Sequence, residues 1–257
     1  MIIYVDLEHE RLKAEPGLWE KSLTRRLNHK YRLEELSGDM CLIVRYDRLN
    51  PALLREFAPP VRAVIISGCY TDFEHYSPES LAGLRAVYRE AAWPTLGFCG
   101  GCQLLAQTYG AEIGPLGPLP GGVVNPAAIF DPTMKEERGF MPVAIHTPHL
   151  LLEGLGQRPI FFQSHYWEVK APPPGFQVLA ESNLCQIQAL VHTERPLFGV
   201  QFHPEEYDDA HPDGRKLLEN FFRIVGGYTI LTPAISGASQ MQEEKDRPDL
   251  AMPVDFV

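Results

Sequence analysis

Runs of β-branched residues alternate along the first half of the chain with longer segments whose apolar positions recur at helical spacing. That is the pattern of a parallel sheet whose strands are joined by helices. IIYVD (2–6), MCLIVRY (40–46), RAVIISG (62–68) and TLGF (95–98) predict four strands. Between the first two, 16–36 predicts a helix, with Pro16 near its start, Leu23 and Leu27 one turn apart, and Gly38 just past its end. Asn50 and Pro51 open a short helix over 50–58. Ser77, Pro78 and Glu79 open another that runs to about 92, where Pro94 bars its continuation. GCQLLAQTY (101–109) predicts a helix closed by Gly110.

The second half changes character. Residues 114–131 are rich in Pro and Gly and predict loops. From 139 to 200 the pattern alternates as in antiparallel strands: FMPVAIH (140–146), PIFFQSHYWEV (159–169), FQVLAES (176–182), IQALVH (187–192) and LFGVQF (197–202). DGRKLLENFFRIVG (213–226) closes as a helix. Residues 228–257 have no clear period and include QEEKDRPD. They predict a solvated or loosely docked tail, extended or disordered, with a partner-binding or site-covering tail as the other reading.

The length, 257 residues, suits one large α/β domain or two small ones. A net charge of −10 argues against nucleic acid or an anionic membrane as a partner, since phosphate binding needs basic surface. No apolar run reaches the roughly 20 residues of a bilayer span, and the start, MIIYVDLEHERL, lacks the basic and apolar regions of a signal peptide. Five cysteines, an odd and sparse set, predict a reduced, cytoplasmic protein.

Two of those cysteines, Cys99 and Cys102, stand in TLGFCGGCQLLAQ (95–107). As C-x-x-C the stretch would be a redox dithiol or half of a zinc site. Zinc needs a second ligand pair, and Cys41, Cys69 and Cys185 are isolated, so no metal is expected. As G-x-C-x-G it is a nucleophile on a strand-to-helix corner, with Gly97 and Gly101 letting the two elements approach closely. The helix start offers free N–H groups and a partial positive charge, both favourable to a thiolate.

A cysteine nucleophile needs a base and a group to orient it. PLFGVQFHPEE (196–206) places His203 after a buried strand and Glu205 two residues on, with Pro204 restricting the backbone between them. Parallel sheets gather their sites at that end of the strands. His165, in FFQSHYWEV, is a second candidate, but a strand histidine beside Tyr and Trp reads as structural, with Ser164 and Tyr166 on the opposite face. His146 and His149 read as loop residues.

With these residues in place the chain resembles the class I, triad-type glutamine amidotransferases, and in particular stand-alone members like the glutaminase of GMP synthase. GFCGGCQLLA matches the family's G-x-C-x-G-x-Q elbow and GVQFHPE its His–Glu motif. SHYWEV with APPPGFQVLAES, and PDGRKLLENFF, resemble the segment between the motifs and the closing helix. The resemblance covers residues 1 to about 226 and implies one domain over 1–227 followed by the tail. The implied fold is a mainly parallel, doubly wound, flavodoxin-like sheet with helices on both faces and an antiparallel portion in the second half.

The resemblance implies that Cys99 attacks the side-chain amide of glutamine to form a γ-glutamyl thioester. His203 would carry the proton from thiol to departing ammonia, and Glu205 would orient His203. Oxyanion donors would come from Gly100 and from the turn Ser67-Gly68-Cys69. Gln103, and the backbone near Ser164 and His165, would hold substrate. No cofactor is implied, and ammonia would pass to an acceptor on a synthase partner. The turn ISGCYTDFEH departs from the usual Gly-Gly-Pro and looks more like members that hydrolyse γ-glutamyl peptides. A γ-glutamyl peptide or amide hydrolase is therefore the alternative enzyme, and a non-catalytic regulatory protein of the same family the alternative of another class. In this setting Cys102 reads as a small packing residue, with an inactivating 99–102 disulfide as its other reading.

Overall fold

A computed structural model describes residues 1–228, so the tail expected over 228–257 lies outside the described residues except for Tyr228. The elements run β1 (Ile2–Asp6), α1 (Pro16–Ser37), β2 (Cys41–Arg45), α2 (Pro51–Glu56), β3 (Ala63–Ile66), α3 (Pro78–Glu90), β4 (Thr95–Phe98) and α4 (Gly100–Thr108). The second half holds β5 (Ile113–Pro115), β6 (Glu137–Pro142), β7 (Ala144–Ile145), β8 (Ile160–His165), β9 (Trp167–Val169), β10 (Phe176–Glu181), β11 (Ala189–His192), β12 (Leu197–Val200) and α5 (Asp213–Gly227).

Eight strands form one sheet in the order β2-β1-β3-β4-β12-β11-β10-β7. The first five are mutually parallel, and β11, β10 and β7 continue the sheet antiparallel. β12 is thus the junction, parallel to β4 on one side and antiparallel to β11 on the other. The alternation of β1 divides the core. Ile3 and Val5 face a cluster with Leu84, Val87 and Leu105 from α3 and α4, and Ile2 and Tyr4 face one with Leu33, Leu218 and Phe221 from α1 and α5. Helices therefore cover both faces. Among the described residues no helix is long and apolar enough to cross a membrane.

Three local expectations need correction. FMPVAIH is not one strand: β6 pairs β8 as far as Pro142↔Ile160, and β7 joins β10 in the main sheet. Pro142 has no N–H to extend the ladder, so the chain changes partner there. PIFFQSHYWEV breaks at Tyr166, whose carbonyl accepts from Leu116 N–H (2.8 Å), and β9 then pairs β5. In α1 the buried positions are Ser22, Arg26, His29 and Leu33, while Leu23 and Leu27 are 42% and 48% exposed. The inner face of this helix meets polar groups at the strand ends, so the side chains that can satisfy those groups are the ones buried.

Candidate functional site

β4 delivers Cys99 to the C-terminal edge of the sheet, and α4 begins at the next residue. Cys99 takes φ 46°, ψ −107°, a left-handed conformation that costs a non-glycine residue energy and is held by its surroundings. Its N–H donates to the Val200 carbonyl (2.8 Å), and its carbonyl accepts from Gln103 N–H (3.0 Å). The flanking glycines are required by contact. A Cβ on Gly97 would lie 2.6 Å from the Gly101 carbonyl carbon, and one on Gly101 2.5 Å from the Ile66 carbonyl oxygen. These are backbone atoms that cannot move aside, which is why the corner needs glycine at both positions.

The turn after β3 packs against this corner. A Cβ on Gly68 would sit 2.8 Å from His203 Cε1 and 3.1 Å from Cys99 Cβ, so Gly68 abuts both side chains and a methyl there would collide with each. A Cβ on Gly100 would be 3.3 Å from the Cys69 nitrogen. The Gly68 carbonyl accepts from Ser67 Oγ (2.8 Å) and from Arg26 Nη2 (3.1 Å). Because the carbonyl and the next N–H of a peptide point in opposite directions, this pins the Cys69 N–H, which has no hydrogen-bond partner among the described residues. Gly68, Cys69 and Gly100 therefore converge beside Cys99.

His203 follows β12, and its N–H donates to the Phe162 carbonyl (2.8 Å). Its Nδ1 lies 2.9 Å from Glu205 Oε1, which leaves Nε2 for a reacting group. Both side chains are buried. Burial opposes charging the His203 ring. The Glu205 carboxylate, the hydrogen bond to it and the neighbouring Cys99 outweigh it, and the ring titrates well above its ordinary range, at about 10. Burial likewise opposes the Glu205 charge, but His203 overcomes it and Glu205 stays below the usual carboxylate range. The Glu205 carbonyl accepts from Arg32 Nη1 (2.7 Å).

A small cleft opens beside Cys99, lined among others by Asp72, Gln103, Phe130, Ser164, Tyr166 and Trp167. The Ser164 carbonyl is 4.0 Å from Cys99 Sγ. Both amide hydrogens of Gln103 are used within the protein, on the Trp167 carbonyl (3.0 Å) and on Gln201 Oε1 (3.2 Å), so its own Oε1 is what it offers as an acceptor. The His165 ring is tied to Glu137 (3.1 Å) and to the Trp167 carbonyl (2.9 Å), which leaves its backbone for the cavity. Cys102 is fully buried in the core, and a Cβ on Gly199 would lie 2.7 Å from its Sγ, so its thiol packs on β12.

Several residues of this site escaped the sequence reading. Arg26 pairs with Asp6 (2.9 Å), joining α1 to the end of β1 and to the Gly68 turn. Glu8 is buried and accepts from Tyr70 N–H (2.8 Å) and Thr71 Oγ1 (2.8 Å), which anchors the loop beyond that turn. Gln201 Nε2 lies 3.5 Å from Cys99 Sγ, and Glu206 is held by His29 Nε2 (3.0 Å) and Arg25 Nε (2.9 Å). Gln201 and Glu206 sit inside or beside the His–Glu motif, so that motif was the available signal. Asp6, Glu8 and Arg26 lie in segments with no local signal for a site.

A model of the family described as "Glutamine amidotransferase class-I" matches residues 20–225. The chain is 34% identical over 139 residues to a glutamine-hydrolysing GMP synthase subunit of Pyrococcus furiosus, covering 54% of this chain and 64% of that protein. It is 39% identical over 136 residues to the corresponding subunit of Methanococcoides burtonii, covering 52% and 61%. The matched segment is therefore less than two thirds of each relative's length. Among solved structures, a putative GMP synthase subunit from Thermoplasma acidophilum superposes with a TM-score of 0.65 at 23% identity, covering 89% of this chain and 95% of that one. A glutamine amidotransferase from Methylobacillus flagellatus gives 0.60 at 19%, covering 93% and 98%. At such identities the two structures speak to the fold alone. The extent of the family match carries the conclusion that the chain belongs to the class I glutamine amidotransferase family.

Proposed function

We propose that this chain hydrolyses the side-chain amide of glutamine through a Cys99 γ-glutamyl thioester and releases ammonia for an acceptor on a synthase partner. The observation that carries this reading is the disposition of His203. Its Nδ1 is held by Glu205, and its ring and the Cys99 side chain both abut Gly68, whose neighbour Cys69 has an N–H without a partner among the described residues. With the His203 ring raised to about 10, the proton of the Cys99 thiol already rests on His203 when sulfur attacks the amide carbon. The Cys69 and Gly100 N–H groups receive the oxyanion, and His203 returns the proton to nitrogen as the C–N bond breaks. Water then attacks the thioester, with His203 as base, and glutamate leaves. Both relatives carry the name of a glutamine-hydrolysing GMP synthase component, which supports a nucleotide synthase as the partner.

The test is release of glutamate and ammonia from glutamine, run beside γ-glutamyl peptides and with Cys99→Ala as control. Glutamine turnover that disappears in Cys99→Ala is expected. Turnover of peptides without turnover of glutamine favours the peptide hydrolase instead, and activity surviving in Cys99→Ala overturns every assignment around the thiol. A synthase protein co-purifying with the chain would identify the acceptor.

A further inference from the structure

The cavity beside Cys99 carries a fixed charge that the reaction steps do not use. Asp72 is the one acidic residue lining it, and no lysine or arginine lines it among the described residues. Asp72 precedes a short turn, Phe73–His75, at the position where an aspartate ordinarily accepts a hydrogen bond from its own turn, yet its side chain makes no such bond. Its carboxylate is instead met by the Tyr166 hydroxyl, 2.8 Å from one oxygen and 2.7 Å from the other. A hydroxyl has one hydrogen, so it satisfies one oxygen at a time.

The surroundings hold this arrangement rigid. The Tyr166 ring stacks on Phe130, with centroids 4.9 Å apart, and meets Trp167 edge to face at 6.1 Å. The Asp72 carbonyl accepts from His75 N–H (3.1 Å). A half-buried carboxylate with acceptor capacity to spare, on the wall of a small cavity, is suited to a cationic group. Glutamine and γ-glutamyl amides share one cation, the α-ammonium, at the end of the molecule away from the amide that Cys99 would attack.

We infer that Asp72 is a specificity-determining residue that receives the α-ammonium of the substrate, with Tyr166 positioning its carboxylate. This rests on the proposed attack of Cys99 on a γ-amide. It predicts that the free α-amino group is required, so that γ-glutamyl compounds with that nitrogen acylated, or without it, are rejected.

Glutaramate, which is glutamine without its α-amino group, and N-acetyl-L-glutamine are the probes. In the unmodified protein kcat/KM for glutamine should exceed that for glutaramate by about 100-fold, since a site built to pair a polar group rejects the analogue lacking it. Asp72→Asn should lower kcat/KM for glutamine by about 30-fold, mainly through KM, and leave glutaramate within about threefold. Tyr166→Phe should fall between. Equal use of glutamine and glutaramate by the unmodified protein overturns the inference and needs no variant to fold. So does an Asp72→Asn enzyme that keeps its preference or loses both substrates alike. Calorimetric binding of the same three compounds to Cys99→Ala separates this inference from the proposed activity. Asp72-dependent glutamine binding without turnover in the unmodified protein leaves Asp72 standing and removes the activity. Turnover without Asp72 dependence does the reverse.

Discussion

The Arg26 guanidinium donates from Nη2 to the Gly68 carbonyl at 3.1 Å while its Nε holds Asp6 at 2.9 Å. One buried side chain thus joins α1, the end of β1 and the turn that presents the Cys69 N–H. Arg26→Leu leaves Asp6 buried without its cation, and breaking one side of such a pair costs about 3–5 kcal/mol. Urea denaturation should show a loss of that size. The proposed glutaminase activity should fall further than the unfolded fraction explains, because the turn loses its anchor. An unchanged urea midpoint would mean the pair contributes nothing.

Two glycine substitutions should separate chemistry from folding. A methyl on Gly68 meets the His203 ring and Cys99, at 2.8 and 3.1 Å, whereas one on Gly97 meets the Gly101 backbone at 2.6 Å. Gly68→Ala should lower kcat by about tenfold or more with a small change in urea midpoint. Gly97→Ala should lower the midpoint itself, as overpacking does by about 1–3 kcal/mol. Equal stability losses in the two variants would contradict the placement of Gly68.

The raised titration of His203 depends on Glu205. In Glu205→Gln the carboxylate is gone and burial of the ring counts for more, so His203 should titrate well below about 10. Imidazole NMR over a pH series reads this directly. By linkage, the stability contributed by charged His203 is complete below about pH 6.5 and fades as pH rises through about 10. That alkaline loss should be smaller and set in at lower pH in Glu205→Gln.

At acid pH the carboxylates set the sign. Glu205 and Glu206 both lie below the usual range: burial opposes their charges, but His203 prevails at Glu205, and His29 with Arg25 prevails at Glu206. Their stabilisation is complete above the unfolded carboxylate range of about 4.3 and is lost as pH falls through the lowered folded values. Urea midpoints from pH 7 down to pH 3 should therefore decline. The decline should be shallower in Glu206→Gln, which also starts from a lower midpoint at pH 7.

Cys102 faces Gly199 from within the core, and burial raises its thiol out of reach of ordinary titration. Iodoacetamide under native conditions should label Cys99 and spare Cys102. Mass spectrometry of peroxide-treated protein should find no 99–102 disulfide. Finding one would restore the redox reading of C-x-x-C.

How much of this was legible in the chain differs from place to place. The elements around Cys99 follow local rules. The short apolar run TLGF, small residues at the corner and a helix closed at Gly110 leave few alternatives to a strand-turn-helix, and the order βαβα gives a parallel sheet. α1 was legible as a helix but not in its orientation. Leu23 and Leu27 mark an apolar stripe, yet the helix turns Arg26 and His29 inward because Asp6, Tyr4 and Glu206 await them there. Pattern reading counts apolar positions and cannot anticipate a polar interior whose partners lie on other elements. The two split strands failed for a related reason, since their alternation persists through the break and only the change of pairing partner ends them.

By itself the sequence determined which residue types stand at which corners: Cys99 between glycines after a strand, and His203 two residues before Glu205 with a proline between. These follow from steric rules that act over a few residues. Only the tertiary structure decided that the sheet carries both corners to one edge, with Gly68 against both. The same holds for Arg26 pinning the turn and for Asp72 meeting Tyr166, because those contacts join segments 42 and 94 residues apart in the chain. Buried polar groups must find partners wherever the fold places them, and that requirement leaves no trace in local periodicity.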